Sequence, residues 1–298
     1  MSEINLLQSF LGDHRVTDVL LDGSVSAFTE REGTLEKVAN PFSSEEEVTS
    51  WTKQLFRANG SRLDIAKPIS EITLDSEFGL LRIHAVLQGE CSKRTQVSIR
   101  RHKTASLTLQ DLVQSSSITK EQRDLLIEII KGKENFVIIG GTGSGKTTLL
   151  KAMLNEVIQE RVITIEDAPE LNLSGNAVSL TTRLANHEGA GEISISQLLR
   201  EALRMRPDRL VIGEARGEEL LVLLQAMNTG HSGAGFTLHA NSVTDALPRM
   251  LAILAGVGVN PELGRLLVSS SVTWVIEVKR MGSNRAFTAI QRLAVGYV

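Results

Sequence analysis

Gly140-Gly141-Thr142-Gly143-Ser144-Gly145-Lys146-Thr147-Thr148 fits the pattern G-x-x-x-x-G-K-[ST] from Gly140 to Thr147. It follows an apolar run, Phe136 to Ile139, and precedes a helix-like segment, Thr148 to Val157. That strand–loop–helix order is the context a phosphate loop requires. Glycines let the backbone curl so that successive N–H groups converge on phosphate oxygens, and the helix N-terminus adds its positive end. Gly140 to Thr148 is therefore the expected phosphate-binding set. Within it Lys146 reaches the β- and γ-phosphates and the Thr147 hydroxyl ligates Mg²⁺. A chance glycine-rich turn would fit the pattern without explaining the strand and helix around it, so a nucleotide-binding chain is implied.

Downstream of this loop, strand-like and helix-like segments alternate: Val162–Glu166, Val178–Thr182, a helix from Ser196, Leu210–Gly213, a helix from Glu218, and Gly235–His239. Alternation around a phosphate loop predicts an α/β fold, a largely parallel sheet with helices on both faces. Thr273–Lys279 and Ala286–Leu293 flank Gly282-Ser283-Asn284, a hairpin signal at one sheet edge. Upstream the pattern is α+β. Val16 to Asp22 ends in the turn signal Asp22-Gly23, and Ser43 or Ser44 caps a helix with acids in its first turn that stops at Asn59-Gly60. Leu80–Leu87 and Thr95–Arg100 read as strands. The expected organisation is a small N-terminal domain over 1–103, a linker over 104–118 that takes in Ser115–Ser117, and the phosphate-loop domain over 119–298.

Composition narrows the function classes. The 298 residues suffice for two domains with real cores. A formal net charge of −3 and 4% aromatic residues argue against a duplex-binding basic face and a base-stacking platform, so no stable nucleic-acid partner is expected. The lone Cys91 excludes an intrachain disulfide and a multi-cysteine zinc site. Met1 to Phe10 carries no secretory pattern, and no apolar run approaches the roughly 20 residues that span a bilayer. A cytoplasmic protein is predicted.

Two strand ends carry acids. Arg209 to Gly213 is an apolar strand delivering Glu214, where a carboxylate can hold the Mg²⁺ shell through water or deprotonate the attacking water. Glu166-Asp167 ends Val162–Ile165, a strand expected to lie beside that of the phosphate loop. Carboxylates at strand C-termini sit where such sheets bind ligands.

With these residues the chain resembles the type II/type IV secretion-system ATPases, hexameric traffic motors, and within them the tight-adherence (Flp) pilus branch. Four family boxes occur in order: the Walker A run Gly140–Thr148, the Asp box Ile165–Leu171, the Walker B from Met205 through Gly213-Glu214-Ala215-Arg216-Gly217, and the His box from Asn228-Thr229-Gly230-His231 to Thr237-Leu238-His239-Ala240-Asn241-Ser242. Upstream, Val16–Leu20, Arg62-Leu63-Asp64 with Pro68, Arg82–Leu87 and Ser98–Arg101 also match, so the likeness covers nearly the whole chain.

The resemblance implies a RecA-like ATPase domain behind a smaller α+β, PAS-like N-terminal domain, with ATP and Mg²⁺ bound at the cleft between them. It implies Glu214 as general base, Glu166 helping to place the water or metal, and His239 sensing the γ-phosphate, while His231 is a turn or interface residue. Phosphoryl transfer also calls for a cation beyond Lys146. The resemblance places it in the N-terminal domain, often that of a neighbouring subunit, with Arg82 and Arg100 ahead of Arg62 and Arg101. Arg183, Arg204 and Arg216 then serve subunit or box contacts. The implied partners are other copies of the chain in a homohexamer and an inner-membrane platform protein, which gives peripheral contact with the inner face of the cytoplasmic membrane.

The chain departs from the pattern in four places. It opens almost directly on the Val16 strand, lacks a four-cysteine module, has Ala215 after the glutamate, and has Gly235-Phe236 in the His box. None removes a polar group needed for hydrolysis. Two rival readings are a conjugation-associated or DNA-translocating ring and a nucleotide-gated scaffold that does not hydrolyse. No Asn-Lys-x-Asp run supports a guanine nucleotide.

Overall fold

The computed structural model describes residues 6–31, 33–101, 107–183, 191–281 and 284–293. The chain forms two compact units, Met1–Ala105 and Ser106–Val298. The N-terminal unit runs α1 (Gln8–Leu11), β1 (Val16–Asp22), β2 (Ser26–Arg31), β3 (Thr34–Val38), α2 (Glu45–Ala58), β4 (Ile69–Ser76), β5 (Gly79–Val86) and β6 (Gln96–Arg101). Its antiparallel sheet has the order β3-β2-β1-β6-β5-β4.

Helix α2 starts where the Ser44 side chain accepts the Glu47 N–H at 3.2 Å. Val48, Trp51, Thr52, Leu55 and Phe56 recur at helical spacing and are buried. Four of them join Val19, Leu21, Ile83, Val97 and Ile99 in one core. Each large apolar side chain buried there contributes about 1.5–3 kcal/mol. Strand alternation puts Arg82 and Arg100 on the opposite sheet face, paired directly across β5 and β6.

The second unit contains α3 (Leu109–Gln114), α4 (Lys120–Lys131), β7 (Phe136–Ile139), α5 (Lys146–Leu154), β8 (Val162–Glu166), β9 (Ala177–Thr181), α6 (Ile195–Ala202), β10 (Arg209–Ile212), α7 (Glu218–Asn228), β11 (Gly235–Leu238), α8 (Val243–Gly256), α9 (Pro261–Ser271), β12 (Trp274–Met281) and β13 (Asn284–Arg292). The seven strands lie in the order β13-β12-β7-β11-β10-β8-β9. All neighbouring pairs are parallel except β12–β13, the hairpin that forms one edge. The Gly282-Ser283 part of its turn lies outside the described residues.

Central strands covered on both faces read as unbroken apolar runs. Val137, Ile139, Leu210 and Ile212 pack on one side with residues of α6 to α9, while Phe136, Ile138 and Val211 pack on the other with α3, α4 and α5.

Three expectations are corrected. First, β8 does not lie beside β7: β11 and β10 stand between them, because the later strands insert into the gap left by the β7–α5–β8 crossover. Second, the stretch expected as linker over 104–118 includes α3, whose Leu109 and Leu112 are buried with α4 and α5 in the second unit. Residues 102–106, which hold the 103/104 boundary, lie outside the described residues. Third, α5 begins at Lys146 rather than Thr148 and ends at Leu154, followed by a 3-10 turn over Asn155–Val157.

Candidate active site

The phosphate loop leaves β7 and enters α5 through glycines with positive φ: Gly140 at 153°, Gly143 at 70° and Gly145 at 107°. A Cβ on Gly140 would stand 2.2 Å from the Val278 carbonyl oxygen, so no other residue fits there without displacing β12. Helix α5 has Gly145 as N-cap and no side-chain cap, which leaves its first N–H groups directed at a ligand. Lys146 is buried and its Nζ donates to the carbonyls of Gly140 at 2.9 Å and Gly141 at 3.0 Å. The buried Ser144 Oγ has no hydrogen-bond partner among the described residues. Glycine cradle, open helix end, ammonium and spare hydroxyl donor together fit a polyphosphate.

The next strand ends supply the charged groups. β11 pairs with β7 and delivers His239, β10 follows and delivers Glu214, and β8 delivers Glu166 and Asp167. Arg216 donates from Nη2 to Glu214 Oε2 at 2.7 Å, and His239 Nε2 lies 3.1 Å from Glu214 Oε1. Arg216 Nη1 also stands 3.5 Å from Asp167 Oδ2.

The turn carrying these groups is pinned. Ala215 N–H donates to the Thr237 carbonyl at 2.9 Å, Thr237 Oγ1 to the Gly213 carbonyl at 2.6 Å, and the N–H groups of Arg216 and Gly217 to the buried Glu219 carboxylate. Burial would raise the Glu214 carboxyl, but Arg216, then His239 and Lys146, outweigh it and hold it below its ordinary value. His239 is lowered by burial and by the Lys146 charge, so its neutral form prevails at pH 7. The carboxylate contact assigns its proton to Nε2. A cleft of about 310 Å³ opens beside these groups, lined by Gly140, Gly141, His239, Asn241, Asp245 and Arg249.

Glu166 is placed differently from what its strand-end position suggests. It is buried, and Oε1 accepts the N–H groups of Glu170 at 3.1 Å and Leu171 at 3.0 Å, which ties down the loop after β8. Burial raises its pKa to about 7 despite those bonds. Lys151 of α5 is also lowered by burial, against the opposing Glu166 charge. The exposed neighbour Asp167 is the one that reaches Arg216.

The N-terminal arginines differ in partners. Arg82 Nε pairs with Glu71 Oε1 at 2.8 Å. Arg100 is exposed, and its guanidinium has no ion pair among the described residues. Arg101 is buried and donates to the carbonyls of Asp13, at 2.9 Å, and Leu11, while Arg62 pairs with Asp64. Arg183 bonds the Gly191 carbonyl at 2.6 Å, and Arg204 stands 3.5 Å from Glu201. His231 closes the C-terminus of α7 through the Ala226 carbonyl. Sequence reasoning placed Asn241 in the His box without a role and missed Asp245 and Arg249 of the cleft, and the pairing of Arg216 with Glu214; the i, i+2 spacing of that pair does not reveal a contact in a loop. Among the described residues no group of three His, Cys, Asp or Glu could hold a metal by itself. Mg²⁺ at a nucleotide site is held by one or two side chains and the phosphates. No described helix is long and apolar enough to cross a membrane.

These boxes on this sheet define a class. Residues 83–286 match the type II/IV secretion system protein family, and the chain belongs to it. It is 36% identical over 301 residues to a Mycobacterium tuberculosis protein named for conjugal transfer, across 98% of this chain and 86% of that one. Among solved structures it resembles the VirB11 ATPase of the Brucella suis type IV secretion system, determined with sulphate: 26% identity, 97% and 96% coverage, TM-score 0.51. The pilus retraction motor PilT with bound ADP matches at 18% identity and TM-score 0.68, over 100% of this chain and 84% of that one, a likeness of fold alone. The second unit is thus a RecA-like P-loop domain, and the chain is an ATPase of the type II/IV secretion system family.

Proposed function

We propose that the chain is a Mg²⁺-dependent ATP hydrolase that works as a homohexameric ring and powers substrate transfer through a type IV secretion or conjugation machine. The observation that carries this reading is the Glu214 carboxylate, held between Arg216 and His239 one strand beyond the partner of the phosphate-loop strand. A carboxylate so placed, kept ionised by its neighbours, takes a proton from water aligned on the γ-phosphate. Neutral His239 orients that carboxylate by donating from Nε2. Lys146, with the N–H groups of Gly141 to Thr148, holds the phosphates. Thr147, and Glu214 through water, would hold Mg²⁺, which supplies charge neutralisation of the β- and γ-phosphate oxygens.

Glu166 acts as a positioning residue for the 167–171 loop rather than at the phosphate, since its Oε1 is committed to two loop amides. The further cation comes from the N-terminal unit. Arg100 leads because it is exposed with no ion pair among the described residues, and Arg82 follows because Glu71 already holds it.

The machine is a membrane one. Its platform protein holds the ATPase at the inner face of the cytoplasmic membrane. The conjugal-transfer relative shifts the assignment from tight-adherence pilus assembly, suggested by the sequence boxes, toward conjugative or type IV secretion traffic. The net charge of −3 favours a motor that moves protein partners over one that grips DNA directly.

The test is ATP turnover against protein concentration with and without Mg²⁺, for wild type, Lys146→Ala and Glu214→Gln, with sizing in a non-hydrolysable analogue. Specific activity that rises with concentration, disappears in both variants and accompanies a six-fold assembly supports the reading. Analogue binding without turnover in wild type would leave a nucleotide-gated scaffold.

A further inference from the structure

The turn after β10 carries a cation, Arg216, to which the hydrolytic scheme above gives no task beyond keeping Glu214 ionised. Arg216 faces Glu214 at 2.7 Å and Asp167 at 3.5 Å, so one planar guanidinium stands between the carboxylates that follow two neighbouring strands, β10 and β8. We infer that Arg216 is the positioning residue for Glu214, fixing which way its carboxylate presents to water. The inference rests on the reading of Glu214 as the general base.

Three features support it. The two oxygens of Glu214 have different partners, Arg216 on Oε2 and His239 on Oε1. Removing Arg216 leaves one contact, about which a carboxylate on a three-torsion side chain can swing. Second, Arg216 is itself held: its own N–H and that of Gly217 both donate to Glu219, a buried carboxylate at the start of α7. A base delivered from a pinned turn meets the tight geometric tolerance that proton abstraction needs. Third, the Arg216 side chain is 57% exposed. An ion pair that open adds little to fold stability, so stability alone does not explain a turn built to hold it. A planar fork can span two carboxylates, whereas a lysine ammonium keeps the charge without the fork.

The experiment uses the full chain as Arg216→Gln, Arg216→Lys and Asp167→Asn, beside wild type and Lys146→Ala. Steady-state ATP turnover, Mg·ADP affinity by fluorescence titration and thermal melting are measured for each. Arg216→Gln is expected to lower kcat about 10- to 100-fold, part of the contribution of a well-placed general base. KM and ADP affinity stay within about threefold, and Tm stays within about 2 °C, as a half-exposed pair predicts. Arg216→Lys recovers part of the loss, and Asp167→Asn lowers kcat less than Arg216→Gln does because its 3.5 Å contact is the weaker one.

A kcat for Arg216→Gln within threefold of wild type overturns the inference. So does a loss matched by a fall in ADP affinity or Tm, which marks a merely structural arginine, or a lysine variant no better than glutamine. Wild type that turns over no faster than Lys146→Ala refutes the hydrolase reading itself, and the inference falls with it.

Discussion

Replacing Glu166 with glutamine should stabilise the protein at alkaline pH while sparing its chemistry. Glu166 is 3% exposed, and burial lifts its pKa from 4.5 to about 7. A carboxyl that binds its proton more tightly in the folded chain favours folding at low pH. That advantage is lost as pH climbs from the unfolded value through the folded one. Two and a half pKa units correspond to about 3 kcal/mol in full, of which about 2 kcal/mol falls between pH 5.5 and 8.5. In a unit of this size that is a melting shift of about 4–8 °C.

Glutamine keeps an Oε1 acceptor for the Glu170 and Leu171 amides and has no charge to desolvate. His239 titrates in the opposite sense, losing stability as pH falls through its unfolded value, but it does so in both proteins. The difference between the two melting curves therefore isolates residue 166. Urea or thermal unfolding at half-unit steps from pH 5.5 to 8.5 gives that difference directly. If Glu166→Gln tracks wild type at every pH, the burial argument is wrong. A hundredfold loss of ATP turnover at unchanged stability would return Glu166 to the reacting groups.

Other substitutions probe the rest of the scaffold. Gly140→Ala should cost about 1–3 kcal/mol and abolish nucleotide binding, because its φ of 153° and the Val278 carbonyl leave no room for a Cβ; urea unfolding and analogue titration measure both. Arg209 is fully buried, with Glu160 at 2.9 and 3.0 Å, so Arg209→Ala should cost about 3 kcal/mol, and Arg209→Met less because it keeps volume without the charge. On the proposal that Arg100 supplies the further cation, Arg100→Gln should leave stability within about 0.5 kcal/mol yet cut turnover by about a hundredfold or more, the size of effect a catalytic arginine carries. Equal turnover with intact assembly would move the catalytic cation elsewhere.

The site was legible in the sequence wherever its parts lie in a run, and illegible wherever they depend on how a side chain turns. Gly140 to Thr148 is contiguous, so its pattern, strand and helix could be read together. Glu214 and His239 each follow an apolar run whose register leaves the polar residue at the strand's end. Glu166 and Asp167 are adjacent, and sequence cannot say which enters the core. The answer came from the loop amides that Glu166 accepts and from the Arg216 contact that Asp167 makes. Strand order was hidden for a related reason. A crossover says that β7 and β8 run parallel, but not how many later strands slip between them.

Helices α3 and α4 were missed although their signals were present. Thr108 with Asp111 and Thr119 with Gln122 form complete capping boxes, and the serines between them made the stretch look like a linker. Proximity in the chain thus located the phosphate-binding half of the site. The half that aims the base required the fold, because Arg216, Glu214, Asp167 and His239 meet only where β8, β10 and β11 end side by side.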